Sequence, residues 1–260
     1  MTRFLHLSDL HLTADQDPAS PSGPLAALRQ AVQISRQISP TPAFVVVSGD
    51  LSDRGDVASY ALLRQELAAF DMPVLMALGN HDNRAGFFQV FGDLPGAPQG
   101  PLVHDALIGD VHVVLADSLV PGQVAGDLDA AQIARMAALL DRHPGHRKLL
   151  VCHHPPQLWG TPDMAWAALS PQSTRRLAVL LQGRDICGLL CGHIHSNRML
   201  QWEGLAVITV TGLQHGMDLT RSKGYAIVRE TGCAICDLGP AGLQVAFAPL
   251  DPRHVIQEFD

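Results

Sequence analysis

The sequence predicts an α/β protein with a β-rich C-terminal third, and three observations support this fold class. Apolar runs typical of buried strands alternate with segments whose apolar residues recur at helical spacing. After Arg198, short strand-like segments follow one another without a long helix between them. The chain has 260 residues and a hydrophobic content of 47%, which is enough for a sizeable core. One domain of this length is ordinary, and two domains are also compatible with it.

The strands predicted before Arg198 are short and mostly apolar. Ala43–Ser48 is apolar on both faces, as strands buried in parallel sheets are. Leu107–Leu115 contains a predicted hairpin that turns at Gly109 and Asp110. The other strands predicted in this part are Phe4–Ser8, Val74–Leu78, Lys148–Cys152 and Ile186–Cys191.

Helices and loops are predicted between these strands. Helical spacing of apolar residues predicts helices at Pro24–Ile38, Val57–Phe70 and Ala130–Leu140. Ala14–Pro24 is rich in Pro, Ser and Asp, which predicts an exposed loop. Trp159–Ser173 is irregular in pattern and is a candidate to overhang a site. The strands predicted in the C-terminal third are Met199–Trp202, Leu205–Val210, Tyr225–Val228, Ala234–Asp237 and Leu243–Ala248.

Charge and hydropathy argue against a nucleic-acid-binding protein and against a membrane-spanning one. The net charge is -7 and there is no Lys/Arg-rich block, so we expect no nucleic-acid partner. Mean hydropathy is +0.13, but no run approaches the ~18 apolar residues that would span a bilayer. Asp9 lies too early for the core of a signal peptide. We therefore expect a mature protein that begins at Met1 and remains in the cytoplasm, without a membrane partner.

The cysteine pattern argues against a secreted disulfide framework. The chain has five cysteines, an odd number, in a sequence too long to need such a framework. Cys233 and Cys236 form a single C-x-x-C pair, whereas a zinc site usually needs a second pair or added histidines. We interpret these cysteines as structural thiols rather than as a metal or redox pair.

Five of the predicted strands run directly into residue types that bind metal ions. In open α/β sheets, ligands bind beyond the carboxyl ends of the strands, so we expect these side chains to meet at one rim. The candidate metal ligands are Asp9, His11, Asp50, Asn80, His153, His193 and His195.

The spacing of these residues also suits metal binding. In an extended segment, residues i and i+2 point to the same side, so D-x-H and H-x-H pairs are each expected to approach one centre. Glycine precedes a candidate ligand at Gly49, Gly79 and Gly192. A glycine there lets the backbone turn tightly or come close to the ions.

Each motif also has a purely structural interpretation. A D-x-H occurs by chance, a Gly-Asp after a strand is often a turn, and Asn80 could occupy the left-handed region of a loop. The His-His-Pro-Pro segment could be a stiffened strand exit, and the H-x-H histidines could be solvated loop residues. Five such endings in succession favour a metal site over these alternatives.

The remaining histidines do not share this pattern, with one exception. His215 follows a strand as the candidate ligands do, and it is a candidate to line the substrate pocket. We interpret the others as packing, surface or hairpin residues; they are His6, His104, His112, His143, His146 and His254.

The succession D-x-H, GD, GNHD, H-x-P-P and GHIH over residues 9–195 resembles the calcineurin-like metallophosphoesterase superfamily in order and spacing. The segments VVVSGDLSDRGD, LGNHD, HHPP and CGHIHS look most like bacterial class III cyclic-nucleotide and glycerophosphodiester phosphodiesterases. The resemblance implies a four-layer α/β/β/α sandwich with a di-metal site at its top. We accordingly expect residues 1–200 to form the body with the site. Residues 201–260 would complete the second sheet and take part in oligomerisation.

The resemblance also implies roles for individual residues. One metal ion would be held by Asp9, His11 and His195. The second would be held by Asn80, His153 and His193. Asp50 would bridge the two ions.

Three further residues receive roles around these ions. His81 would act as general acid or electrostatic partner for the leaving oxygen, and Asp82 would orient His81. His153 is preferred to His154 as the ligand, because the family uses the histidine directly at the strand end. His154 would then support the site from beside it and contact the substrate, with a reversed assignment of the two histidines as the alternative. His215 would line the substrate pocket.

The implied activity is hydrolysis of a small phosphodiester, either a cyclic nucleotide or a glycerophosphodiester. Attack would come from a metal-bridging hydroxide held by two divalent ions of Mn, Fe, Zn or Co. Related phosphodiesterases often dimerise, and exposed strand edges are a route to pairing, so we expect a homo-oligomer.

Other functions fit the same framework. A phosphomonoesterase would differ in pocket size, and a nuclease should carry basic surface runs that this sequence lacks. A non-catalytic metal-binding scaffold, like the retromer subunit of this superfamily, tends to lose ligands or the catalytic histidine, and here His81 and all seven ligand types are present. A hydrolase of non-phosphate esters is a further alternative.

Overall fold

Two β-sheets face each other between two layers of helices in a computed structural model that describes residues 1–93, 100–158, 168–220 and 224–250. The helices are α1 (Pro24–Gln37), α2 (Val57–Leu67), α3 (Arg84–Val90), α4 (Ala130–Leu140) and α5 (Pro171–Leu181). The strands of the first half are β1 (Thr2–Leu7), β2 (Phe44–Val47), β3 (Val74–Met76), β4 (His104–Ile108), β5 (Val111–Ala116) and β6 (Arg147–Cys152). The later strands are β7 (Ile186–Cys191), β8 (Arg198–Trp202), β9 (Leu205–Thr209), β10 (Gly216–Asp218), β11 (Ala226–Val228), β12 (Gly232–Gly239) and β13 (Gly242–Pro249).

The strand order places the parallel strands next to one another in each sheet. The first sheet has the order β13-β12-β1-β2-β3, with β1, β2 and β3 parallel. The second has the order β4-β5-β6-β7-β9-β8, with β5, β6, β7 and β9 parallel. A separate two-stranded sheet is formed by β10 and β11.

Three hydrophobic clusters define four layers. One cluster fills the space between the sheets and includes Phe4 and Val151. A second packs α1, α2 and α3 on the first sheet, with Leu63 from α2 fully buried. A third packs α4 and α5 on the second sheet, around Met136 and Leu177. The expected four-layer α/β/β/α sandwich is therefore confirmed.

The two sheets present their parallel strand ends at the same end of the sandwich. Asp9, just after β1, donates its backbone N–H to the carbonyl of Gly49 after β2, at 3.0 Å. Across the sheets, the backbone N–H of His193 after β7 donates to Asp9 Oδ1 at 3.0 Å. Loops that follow strands of different sheets thus contact one another directly.

The structure differs from the sequence predictions in several elements. Helices α3 and α5 were not predicted from the apolar spacing. The segment Trp159–Ser173, predicted to be irregular, lies outside the described residues at 159–167 and enters α5 at Pro171. The boundary expected at residue 200 falls inside β8, and the strands beyond it join both sheets rather than the second alone.

Four of the five cysteines are buried, and none of the five forms a disulfide. All five cysteines are reduced thiols, and Cys233 and Cys236 are buried on opposite sides of β12, in different hydrophobic clusters. Among the described residues, no helix combines the length and the apolar character needed to cross a membrane.

Candidate metal centre

Side chains of metal-binding type from both sheets meet where the parallel strands end. Four overlapping sets place their ligand atoms within 4.8 Å of one another, and one of them joins His11 and Asp50 to His81; the other three contain the remaining aspartate and histidine candidates. These three sets are Asp9, His11 and His195; Asp9, Asp50 and His153; and His153, His154 and His193. Asn80 Oδ1 lies 3.3 Å from His153 Nε2 and joins the same cluster. The structure thus brings all seven candidate ligands together.

Asp50 occupies the middle of this cluster. Its Oδ2 lies 3.6 Å from His11 Nε2 and 3.3 Å from His153 Nε2, so one carboxylate faces both groups of imidazoles. Its Oδ1 accepts a hydrogen bond from the backbone N–H of His81 at 2.9 Å. This is the position that a ligand shared by two ions requires.

Hydrogen bonds orient three of the candidate imidazoles in the same way. His153 Nδ1 donates to the carbonyl of Ser48, and His195 Nδ1 donates to the carbonyl of His215, each at 3.0 Å. His11 Nδ1 lies 3.2 Å from an oxygen of Asp53. Because carbonyl and carboxylate oxygens accept, each of these rings keeps a proton on Nδ1 and turns its Nε2 toward the cluster.

One unsatisfied atom indicates that the cluster is built for cations. His11 Nε2 is buried and has no hydrogen-bond partner among the described residues. Buried polar atoms are rarely left in this state unless an ion or water completes them. Carboxylate, amide and imidazole donors around such an atom fit divalent transition metals.

Backbone strain is concentrated at the candidate ligands. Among the non-glycine residues that the structure describes, six have a positive φ. Five of them are Asp9, His11, Asp50, His193 and His195. Non-glycine residues adopt this left-handed region rarely, and such strain clusters at functional sites. The expectation that D-x-H and H-x-H are extended segments is therefore wrong, because each ligand follows its strand in a left-handed turn.

Glycines make room for the cluster. A Cβ at Gly192 would lie 1.9 Å from Ser8 Oγ and 2.6 Å from Asp9 Oδ2. A Cβ at Gly79 would lie 2.2 Å from Asp50 Oδ1. Any side chain at these two positions would displace a candidate ligand, which is the close approach expected from the sequence.

The central carboxylate of Asp50 remains charged in the fold. Burial acts to raise the pKa of Asp50, but the neighbouring imidazoles of His153 and His11 outweigh it and hold that pKa well below its usual range. Burial acts to lower the pKa of His153, but Asp50 raises it to about 9. Without metal ions the cluster therefore balances its carboxylates with imidazolium, and metal binding there would release protons.

His81 lies at the open side of the cluster. Its side chain is 42% exposed, and its ring packs edge-on against that of His11 with centroids 4.6 Å apart. Its Nδ1 donates to the carbonyl of Asp53 at 3.1 Å and lies 3.5 Å from that residue's carboxylate. Nε2 is thereby left to face an incoming molecule.

Asp53 was missed by the sequence analysis. It contacts both His11 and His81, so it positions a candidate ligand and the candidate acid together. The available signal was its spacing, three residues after Asp50 in the loop that follows β2.

Asp82 does not have the role expected of it. Its buried carboxylate accepts four hydrogen bonds, from Leu51 N, Ser52 N, Gly79 N and Tyr60 Oη. Burial and the charge of Asp50 raise its pKa to about 6. Asp82 therefore ties the loop after β2 to the loop after β3, while Asp53 holds the ring of His81.

The structure separates the roles of the two adjacent histidines. His154 is fully buried, its Nδ1 lies 2.7 Å from Ser118 Oγ, and its Nε2 donates to the carbonyl of Val124 at 2.9 Å. Burial, with the neighbouring His193 and His153, holds its pKa well below the usual range. With both ring nitrogens engaged, His154 is a support for the loop rather than a ligand or a substrate contact.

His215 stacks directly on a candidate ligand. Its ring is parallel to that of His195, with centroids 4.0 Å apart and an interplanar angle of 2°. Burial lowers its pKa to about 4, and His195 and His11 act in the same direction. A neutral, half-buried imidazole therefore lies at the edge of the cluster, where it could contact a substrate.

The sequence is similar to a known protein family and to proteins with named activities. A family model described as calcineurin-like phosphoesterase matches residues 2–197. The chain is 27% identical to a cAMP/cGMP dual specificity phosphodiesterase of Mycobacterium tuberculosis, over 98% of this chain and 82% of that protein. It is 25% identical to a probable glycerophosphodiester phosphodiesterase of Arcobacter nitrofigilis, over 78% of this chain and 76% of that protein.

A solved structure confirms the fold independently. A dimetal phosphatase from Danio rerio superposes with a TM-score of 0.64 at 14% identity, over 96% of this chain and 99% of that one. At this identity the likeness concerns the fold alone. Because the family model covers most of the sequence and the motifs meet in one cluster, the chain belongs to the calcineurin-like phosphoesterase family.

Proposed function

We propose that this protein is a dinuclear metal-dependent phosphodiesterase that hydrolyses a small phosphodiester, a cyclic nucleotide or a glycerophosphodiester. The observation that carries the proposal is the position of Asp50, whose Oδ2 lies 3.6 Å from His11 Nε2 and 3.3 Å from His153 Nε2. The names of the relatives, which include cyclic-nucleotide and glycerophosphodiester phosphodiesterases, support this substrate class.

The seven candidate ligands divide into two groups around Asp50. We assign Asp9, His11 and His195 to one ion, and Asn80, His153 and His193 to the other. Asp50 is assigned to both. The ions are of the Mn, Fe, Zn or Co class, because the donors are carboxylate, amide and imidazole.

Two divalent ions bound there would attract the phosphate oxygens and lower the pKa of water from about 15.7 toward about 7. The protein residues around the ions set the net charge of the site. Asp9 and Asp50 contribute only two negative charges, so a bound pair of dications keeps a surplus of positive charge for an anionic diester.

His81 is placed to deliver a proton to the leaving oxygen. Its Nδ1 proton is held by the carbonyl of Asp53, so a second proton on Nε2 is the one available to a substrate. The carboxylate of Asp53, 3.5 Å from Nδ1, stabilises the doubly protonated ring. We therefore assign His81 as general acid and Asp53 as the residue that positions it.

We also propose that the protein works in the cytoplasm as a homo-oligomer. Five reduced thiols suit a compartment that keeps cysteines reduced. Strand β13 forms an edge of the first sheet, and Phe247 on it is exposed, which offers a surface for pairing with a second copy. Light scattering after size exclusion measures the mass directly, and a monomer at all concentrations would contradict the pairing.

The test of the proposed activity compares two model substrates. Metal-stripped protein, re-supplied with Mn²⁺, is assayed with bis-p-nitrophenyl phosphate and with p-nitrophenyl phosphate. We expect diester cleavage that depends on the added ion, with little monoester cleavage. A preference for the monoester would indicate a phosphatase instead, and no cleavage by protein that holds two ions would favour a non-catalytic scaffold.

A further inference from the structure

A second group of metal-binding side chains lies away from the proposed catalytic centre. Asp105 on β4, His112 on β5 and His143 after α4 place their ligand atoms within 4.8 Å of one another. His112 is near the amino end of β5, whereas Ala116 at its carboxyl end pairs with Cys152, just before the catalytic loop. The strand from His112 to Ala116 extends over about 13 Å, so the two clusters are separate.

Hydrogen bonding prepares His112 to bind a cation. The side chain is fully buried, and its Nε2 lies 2.9 Å from Asp105 Oδ2, which accepts the Nε2 proton. Its Nδ1 is buried and has no hydrogen-bond partner among the residues that the structure describes. A histidine that donates one ring N–H to a carboxylate presents a lone pair at the other nitrogen, as metal-bound histidines do.

Two more imidazoles extend the group from His112, one beside it and one beyond. The ring of His143 is edge-on to that of His112 at a centroid distance of 4.6 Å, and the ring of His146 lies 5.8 Å from that of His143. His146 Nδ1 is also buried without a partner in the described part of the chain. Several imidazoles, one of them oriented by a carboxylate, form a donor set that suits Zn²⁺ and related ions.

We propose that His112 and His143 form a peripheral site for a zinc-class divalent ion, with His146 available as a further ligand and with Asp105 orienting His112 from its other ring nitrogen. The ion would join the β4–β5 hairpin to the segment between α4 and β6. Its role would be structural or regulatory, because the site lies at the end of the second sheet opposite the proposed catalytic centre.

Two positively charged side chains oppose the cation: Lys148, which acts electrostatically on His112, and Arg142. Arg142 Nη1 donates to Asp105 Oδ1 at 2.9 Å, and its side chain is 58% exposed. Removing this positive charge should tighten binding of a dication, whereas removing an imidazole should abolish it. The two substitutions therefore have opposite predicted effects.

The test measures zinc content after equilibrium dialysis of the wild type, His143→Ala and Arg142→Ala. We expect the wild type to hold one zinc ion more than His143→Ala. Arg142→Ala should bind that additional ion about tenfold more tightly, as expected for charges of +1 and +2 roughly 6 Å apart in a water-like dielectric. Diester hydrolysis should be unchanged in His143→Ala.

The readout is a difference between proteins, so it does not depend on how many ions the proposed catalytic centre holds. Equal zinc in the wild type and His143→Ala would overturn the proposal, and so would an Arg142→Ala protein that binds the additional ion more weakly. If circular dichroism shows that His143→Ala is unfolded, Asp105→Asn replaces it. A folded Asp105→Asn protein that keeps wild-type affinity for the additional ion would also overturn the site.

Discussion

At the scale of single residues, the sequence predicts which side chains meet but not how each is held. The seven candidate ligands were found because each follows a predicted strand, and the structure places them in one cluster. The left-handed backbone of five of them, the engagement of His154 and the partners of Asp82 depend on contacts between distant loops. Asp53 was overlooked because it lies within the loop after β2 and not directly at the strand end, where the other candidates were sought.

The assignment of His81 leads to a kinetic prediction. Replacing His81 with alanine should lower kcat for the diester by about 10²- to 10⁴-fold, the usual contribution of a general acid. The metal content should remain that of the wild type, because His81 contacts the cluster without being one of the seven candidate ligands. Parallel kinetic and elemental measurements check this, and a proportional loss of metal would show that His81 is a ligand instead.

Buried His6 makes stability depend on pH. Its Nε2 lies 2.9 Å from Ser48 Oγ, and burial lowers its pKa to about 3, with Asp9 opposing the shift. The unfolded chain takes up this proton near pH 6.5 and the folded one does not, so the stabilising contribution is present above about 6.5 and is lost as pH falls.

His6→Gln isolates this contribution. Between about pH 7.5 and about pH 5.5, the metal-free wild type should lose about 1.4 kcal/mol more unfolding free energy than the variant. Urea unfolding at both pH values measures the difference, and the other titrating groups are common to both proteins. Equal losses would mean that His6 is protonated in the folded state.

At the scale of elements, periodicity predicts the long regular segments and misses the short or polar ones. Ala43–Ser48 and Ala130–Leu140 were predicted because apolar residues mark them clearly, and both are observed as β2 and α4. Helix α3 is only 7 residues long and begins at a cap from Asn83. Helix α5 begins with Ser170 as cap and Pro171, inside a segment whose composition resembles a loop.

A substitution can test the close contact between the loop after β7 and the end of β1. Gly192→Ala places a Cβ against Ser8 Oγ and Asp9 Oδ2, so we expect a loss of about 1–3 kcal/mol in stability, together with weaker metal binding. Gly239→Ala is the matched control, because its Cβ would lie 3.6 Å from Met1 Cγ, an ordinary contact. Thermal unfolding with and without Mn²⁺ measures both variants, and equal behaviour would mean that the loops adjust freely.

At the scale of the whole molecule, the α/β class and β-rich end follow from the sequence pattern, while the four-layer arrangement followed only from the family resemblance. The strand order could not be derived from the sequence. Strand β12 comes from the far end of the chain and pairs with β1, and β13 pairs with β12 on its other side. These pairings complete the first sheet. The two sheets can then bring their parallel strand ends together, and the cluster lies where they meet.

The central claim is that one shared carboxylate holds two ions on which hydrolysis depends, and Asp50→Asn tests it most directly. Metal content and bis-p-nitrophenyl phosphate hydrolysis are measured on the same samples of wild type and variant after loading with Mn²⁺. We expect the variant to lose both catalytic ions and its activity together. A folded Asp50→Asn protein that retains two ions and full activity would contradict the account.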